Sequence, residues 1–271
     1  NHDDLWSFEG KNVPIHWHND LEINLIREGE AVFQVYQKSY RVRTGEGFLL
    51  NRNVPHSCSS PGNEHVRYST ILVRPDFLYG DFGSDVERKC FQPFLQNSAI
   101  PCIYLTGFDE NGKEILQKLN QVEEAFDRKR FCYELKIKGL LCEAFAMILY
   151  GHRQELTKFV PANLQELERL EKMLNYLNMH FTEVISLQDL ADQVHLSREV
   201  CCRLFKKMTG KTITGYLEEY RVNKSFSLVQ SGQYSMTQIT EMVGFSNPSR
   251  FASAFRKRFG CNPGEYNSVK H

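Results

Sequence analysis

The chain has 271 residues, enough for two domains of ordinary size. Its 41% hydrophobic and 24% charged content is that of a globular protein in water, and 33 basic against 33 acidic residues cancel, so the chain as a whole has no polyanion-binding charge. No apolar run approaches the roughly 20 residues that span a bilayer, and no charged, then apolar, then small-residue leader opens the sequence.

The eight cysteines, at 58, 90, 102, 132, 142, 201, 202 and 261, form no Cys-x-x-Cys pair. Such a scattered set reads as reduced thiols in a cytoplasmic protein, most of them acting as small buried hydrophobes. The neutral total hides an asymmetry. From His195 to His271 there are 12 Lys or Arg against 5 acids, a local net of +7. One end of the chain therefore carries the footprint expected where phosphates are met.

Residues 15 to 75 alternate at strand spacing. Ile23, Leu25, Val32, Val35, Val42, Phe48, Leu50, Val66, Tyr68, Ile71 and Val73 sit among polar neighbours, with turn residues between the runs. Many short strands with frequent turns predict a sandwich or barrel. His16 and His18 alternate, so both imidazoles face one side, with Glu22 four residues on and His56 after a turn. Gly10, His16, His18, Glu22 and Gly29 match the first sequence motif of the cupin barrels. The second motif would end at His56 but has Asn51 and Asn53 where its Pro and Gly belong.

Two readings stand for His16, His18, Glu22 and His56. Three imidazoles and a carboxylate suit a divalent metal such as Zn, Fe, Ni or Mn. Alternatively they hydrogen-bond an organic ligand in a polar barrel mouth. Trp17 would add an apolar face on which a sugar stacks, whereas Phe33 reads as core.

Residues 75 to 101 carry apolar anchors in loop-rich surroundings, read as chain that returns over the barrel. Asp109–Lys129 and Phe131–His152 are amphipathic, the first with Ile115, Leu116, Leu119, Val122 and Phe126 and the second with Leu135, Ile137, Leu140, Leu141, Phe145, Ile148 and Leu149. Joined by a short basic turn, they predict an antiparallel hairpin over residues 109–152 that covers a barrel face and offers a homodimer seam. Residues 157–163, which hold Pro161, read as a linker. Helix follows from Leu164 to the end.

That last part holds one pattern written twice. Phe205, Gly210 and Tyr216 recur at an offset of 50 as Phe255, Gly260 and Tyr266. Upstream the offset is 49, from Val194 to Val243 and Leu196 to Phe245, which places one extra residue near the start of the second copy's second helix. Each copy reads as short helix, turn, longer helix, with Ser197 and then Ser246 or Asn247 as caps and Gly210 and Gly260 as stops. This is helix–turn–helix anatomy, whose second helix enters the DNA major groove.

Leu190-Ala191-Asp192, Ser197, Arg203-Leu204-Phe205-Lys206, Gly210, Tyr216-Leu217, Arg221, Ile239, Gly244-Phe245, Phe251, Phe255-Arg256, Phe259-Gly260, Pro263 and Tyr266 resemble the AraC/XylS family of transcription regulators over residues 164–271. Thr240 departs from the pattern, standing where the family usually has Ala. The resemblance implies an α+β two-domain chain: an N-terminal cupin-like β-barrel with helical hairpin (1–156, effector binding and dimerisation), a linker (157–163) and a C-terminal all-α domain with two helix–turn–helix units (164–271).

By position, Arg198, Glu199, Cys202 and Arg203 face the bases in the first unit, and Asn247, Ser249, Arg250 and Ser253 in the second. Arg is suited to guanine, Glu to cytosine N4, and an apolar thiol to a thymine methyl. Arg198 and Arg250 serve equally well as phosphate contacts. Lys206, Lys207, Arg256 and Lys257 lie toward helix ends and read as phosphate-facing or solvated.

The function expected is a DNA-binding transcription regulator responsive to a small molecule, a sugar or other carbon source, bound through His16, Trp17, His18, Glu22 and His56. No catalytic residue is expected, and the partners are double-stranded DNA, the effector, a second copy of the chain and, for an activator, RNA polymerase. The rival reading is a metal-dependent cupin enzyme, an isomerase or dioxygenase, with an accessory helical domain. A constitutive DNA-binding protein with a vestigial barrel is a third.

Overall fold

The computed structural model describes residues 2–5, 12–61, 65–161 and 163–268. Gly10 of the barrel motif, part of the turn at Gly62-Asn63 and Ala162 of the linker lie outside the described residues. Two antiparallel sheets form the N-terminal half. One has five strands in the order β1-β8-β3-β6-β9 and the other four in the order β2-β7-β4-β5. In chain order these are β1 (His2–Asp4), β2 (Asn12–His16), β3 (Leu21–Glu28), β4 (Glu30–Val35), β5 (Lys38–Arg43), β6 (Gly47–Leu50), β7 (His56–Ser59), β8 (Arg67–Val73) and β9 (Cys102–Leu105).

β3 is the hinge of this architecture. Leu21 through Ile26 are all buried, because both faces of the strand are covered. Leu21, Ile23 and Leu25 point outward into one apolar cluster with Ile115, Leu119 and Phe145 of the helices. Ile26 points inward to a second cluster with Phe33, Phe48 and Val66. Glu22 and Asn24 share the inward face by strand alternation, which puts a carboxylate and an amide inside the barrel. Phe33 is core, as expected, 1% exposed and stacked on Phe48 with centroids 4.8 Å apart.

The returning segment after β8 is more ordered than its loop-rich composition suggests. It forms α1 (Pro75–Tyr79), a π-helical turn over Glu87–Phe91 and α2 (Gln92–Leu95), then β9, which pairs with β6. The hairpin is α3 (Glu110–Arg128) and α4 (Tyr133–Gly151). Asp109 caps α3 by accepting from Gly112 N, and Lys129 and Cys132 turn the chain with positive φ of 43° and 62°. Two residues expected on the buried stripe are not there. Phe126 is 51% and Leu135 71% exposed; both lie at the hairpin's connected end, beside the turn at Lys129–Cys132.

A short α5 (Arg153–Leu156) precedes the linker, which is tied down. Asn97, 1% exposed, accepts from Val160 N at 3.0 Å and donates to Lys158 O at 3.3 Å.

The C-terminal half is α6 (Leu164–Met179), α7 (Leu187–Gln193), α8 (Arg198–Thr209), α9 (Ile213–Ser231), α10 (Met236–Met242), α11 (Pro248–Phe259) and α12 (Pro263–Ser268). The repeat extends to the caps: Ser186 and Ser235 start α7 and α10, Ser197 and Asn247 start α8 and α11, and Gly210 and Gly260 end them in the left-handed region. The second helices are both 12 residues long, so the extra residue lies just outside α11, next to its cap, near the helix start as the change of offset implied. It is Ser246, in the turn before the Asn247 cap. Leu196 N bonds Ala191 O and Phe245 N bonds Thr240 O, which keeps the 49 offset through Phe245.

The turn residues His195 and Gly244 both take positive φ, 53° and 77°. At Gly244 a Cβ would come within 2.6 Å of Thr182 Cα, so glycine is required for closeness as well as for conformation. Thr240 fits where the family has Ala: its hydroxyl is satisfied by Met236 O at 2.6 Å.

Candidate functional site

The barrel cluster assembles from four segments. β2 ends at His16, short of His18, yet both imidazoles reach one place, with ring centroids 5.9 Å apart. A bulge between Val13 and His16 sets His16 opposite His56 of β7, their rings 4.2 Å apart. Glu22 enters from β3. His18 Nε2 donates to Glu22 Oε2 at 2.7 Å, and Asn24 Nδ2 donates to Oε1 at 2.7 Å. His56 Nε2 lies 3.3 Å from Glu22 Oε2 but makes no aligned hydrogen bond, although the ring is 2% exposed.

Asn53 stands where the motif would have glycine and adopts φ of 57°, a conformation Asn tolerates better than most side chains, with its N–H on His18 O at 2.8 Å. Asn51, at the motif's proline position, donates from Nδ2 to Phe94 O at 2.8 Å.

Charge in this cluster is finely opposed. Burial drives the Glu22 carboxyl upward, but the bond from His18 and the nearby His56 outweigh it and hold the group far below the usual carboxylate range. Burial and the neighbouring His56 lower His16, while the hydrogen bond to Glu22 raises His18. His16, His18, Glu22 and His56 offer ligand atoms all within 4.8 Å of one another.

Trp17, expected to offer a stacking face to a ligand, is turned elsewhere. With Ile15 and Tyr36 it packs against the apolar cluster of α6–α9, which includes Phe205 and Tyr216. Tyr36 occupies the β4–β5 turn with φ of 50°. Gly210, the stop of α8, sits so close to it that a Cβ would lie 2.5 Å from Tyr36 O. The strand that carries His16 on one side thus carries the docking surface for the helical half on the other.

Sequence reasoning missed this contact, because Ile15, Trp17 and Tyr36 read as core of their own domain. It also missed a groove of about 880 Å³ on the far side, where Leu72 of β8, Phe126 of α3 and Ile137 of α4 form apolar walls, rimmed by Arg74, Glu123 and Glu134.

In the helical half, Arg198, Glu199 and Arg203 of α8 and Asn247, Ser249, Arg250 and Ser253 of α11 are exposed. Cys202 is half-buried and packs on the core cluster of α6–α9. Asn247 has its Oδ1 engaged as the cap, accepting from Arg250 N at 2.9 Å. Arg250 reaches outward, 66% exposed, 3.9 Å from Glu218. Lys207, expected to be phosphate-facing or solvated, is 56% exposed and also pairs with Glu166 of α6 at 2.6 Å. Arg221 is a brace: its Nε donates to Phe181 O at 2.6 Å and a terminal nitrogen to Glu183 O at 2.7 Å.

Comparison with known proteins decides the family. The model of the AraC-like ligand binding domain matches residues 5–145 and that of a helix-turn-helix domain matches residues 190–268. The chain belongs to the AraC family of transcription regulators. Among AraC-family relatives, the transcriptional activator RhaR of Mannheimia succiniciproducens is 31% identical over 257 residues, covering 94% of this chain and 87% of its own.

YdeC of Bacillus subtilis, an uncharacterized HTH-type regulator, is 28% identical and covers 95% and 87%. The melibiose operon regulatory protein of Escherichia coli is 21% identical and covers 94% and 83%. Of solved structures, ToxT of Vibrio cholerae with unsaturated fatty acid bound aligns over 98% of this chain and 93% of its own, at 16% identity and a TM-score of 0.44. The chain is accordingly a DNA-binding regulator with a ligand-binding domain and not an enzyme, which sets aside the cupin-enzyme alternative. Among the described residues no helix is long and apolar enough to cross a membrane.

Proposed function

We propose that this chain is a cytoplasmic, sequence-specific transcription regulator in which a small polar effector, a carbohydrate or related carbon source, binds in the N-terminal barrel at His16, His18, Glu22 and His56. Residues 1–156 form the effector and dimerisation domain, 157–163 the linker and 164–271 the DNA reader. The observation that carries the reading is the two-sided segment at Ile15–His18. His16 and His18 join the polar cluster, while Ile15 and Trp17 support the helical half. A ligand that shifts the imidazoles shifts the docking surface.

Such coupling requires that the effector bind the docked and undocked arrangements with different affinity. Operon regulators of sugar metabolism among the relatives, such as the melibiose one, favour the carbohydrate class. A second copy of the chain meets the hairpin at its connected end, where Phe126, Phe131 and Leu135 are exposed.

On the DNA side, α8 and α11 each enter a major groove. Arg198, Glu199, Arg203, Ser249, Arg250 and Ser253 face base edges, Asn247 offers its remaining amide hydrogens, and Cys202 is a marginal contact because it is half-buried.

The test is a metabolite thermal-shift screen on the full chain, followed by DNA affinity with each hit at one stated salt concentration. A sugar or polyol is expected to raise the melting temperature and change DNA affinity about 5–150-fold. Hits that stabilise the protein but leave DNA affinity untouched contradict the coupling.

A further inference from the structure

The hydrogen bonds around the barrel cluster have a chemical consequence. Each of the three imidazoles uses Nδ1 on a backbone carbonyl: His16 on Pro14 O at 2.9 Å, His18 on Asp20 O at 3.0 Å and His56 on Val54 O at 2.8 Å. A carbonyl oxygen can only accept, so Nδ1 carries the proton in all three. That fixes the tautomer. In a neutral ring Nε2 then holds a lone pair; those of His18 and His56 lie 2.7 and 3.3 Å from Glu22 Oε2, and His16 brings a ring nitrogen within 4.8 Å of the other three groups.

The result is three ring lone pairs converging on an anionic carboxylate, with no donor among the groups themselves. His18 can meet Glu22 at 2.7 Å only by carrying a second proton. His56 Nε2, buried and 3.3 Å from the same oxygen, has no hydrogen-bond partner at all. A buried acceptor left unpaired costs free energy that neighbouring groups or a bound species normally recover.

We propose that His16, His18, His56 and Glu22 hold a single divalent transition metal through three Nε2 atoms and one carboxylate oxygen, and that this ion is part of the effector site. The inference rests on the regulator reading above and names what its barrel binds. A metal would take the place of the extra protons and satisfy His56. Metal–ligand bonds of about 2.0–2.2 Å in a tetrahedral site put donor atoms about 3.3–3.6 Å apart, so a set already within 4.8 Å closes with side-chain shifts of about 1 Å or less.

The outer shell is in place as well. Ligating histidines normally give their other N–H to a carbonyl or carboxylate, and a ligating carboxylate is itself hydrogen-bonded. Here three carbonyls and Asn24 Nδ2 do this, with Thr70 Oγ1 holding Asn24 Oδ1 at 3.0 Å. His18 is 24% exposed, which leaves the cluster an open side for entry and for a ligand oxygen on the ion. Imidazole and carboxylate donors without thiolate suit Zn, Fe, Ni or Mn and disfavour Ca and Mg, which prefer all-oxygen sites.

The experiment uses the full chain stripped with a chelator, then titrated with Co2+ followed by its visible absorption and with Zn2+ and Mn2+ by calorimetry. One ion per chain is expected, with affinity falling more than about 100-fold in Glu22→Gln and His16→Ala, since outer-shell changes alone cost 10–100-fold. Circular dichroism and melting of the metal-free variants confirm that they are folded.

No uptake by the stripped wild-type chain, or uptake unchanged by both substitutions, overturns the proposal. A chain that takes no metal yet changes its DNA affinity with a metabolite overturns the metal centre and leaves the regulator reading standing.

Discussion

Phe255→Ala is expected to cost about 3–5 kcal/mol, the range for emptying a buried phenylalanine site. Phe255 is fully buried, with Phe259 4.6 Å, Phe251 5.8 Å and Tyr266 6.0 Å from its ring centroid. These rings are the core of the second helix–turn–helix, joined by Val222, Phe226 and Ile239. The first unit has its own core around Phe205 and Tyr216, whose rings are 5.6 Å apart. The loss therefore falls on the second unit. Urea denaturation of the full chain should reveal an early transition absent from the wild type. A single unshifted transition would mean that the two cores do not unfold separately and that Phe255 is dispensable.

Arg250→Ala is expected to weaken binding to a cognate site by about 1–3 kcal/mol, roughly 5–150-fold, while random DNA loses little. The residue lies three places into α11, exposed, with Glu218 of α9 at 3.9 Å as its ion-pair neighbour. That pair is too exposed and too long to contribute much to stability, so the substitution reports on DNA and not on folding. The comparison is made by titrating both DNAs at one salt concentration. Equal losses on the two would make Arg250 a phosphate contact.

The repeat was legible because it is written in residues with distinct physical jobs. Ser197 and Asn247 cap, Gly210 and Gly260 stop, and Phe205 and Phe255 fill the cores, so the spacing alone outlines two units. The extra residue sits beside the start of α11, and spacing left open only which of two residues caps the helix. Ser246 looks like a cap by type, but the cap is Asn247, and the chain accommodates Ser246 in the turn where Gly244 already permits unusual backbone.

The four-residue barrel cluster was equally legible, since alternation and turn spacing brought its members together. What gave no signal was contact between distant segments. Trp17 and Tyr36 are apolar residues in a β domain, and nothing in their neighbourhood distinguishes a barrel interior from a docking face. β9 was hidden for a related reason: four residues pairing at a sheet edge carry too little periodicity to stand out from loop. The exposure of Phe126 and Leu135 likewise follows from their place beside the turn of the hairpin, beyond the part that covers the sheet, which helical spacing does not encode.

As the proposed two-groove reader, the chain holds α8 and α11 apart on the 19-residue α9, so that they read one face of a duplex in adjacent major grooves. α9 is about 28 Å long at 1.5 Å per residue, close to the roughly 34 Å between successive major grooves. Hydroxyl-radical footprinting of the full chain on its cognate duplex tests this most directly. Two protected patches one helical turn apart, about 10–10.5 base pairs centre to centre, are the predicted result. A single patch, or two patches on opposite faces of the duplex, would contradict it.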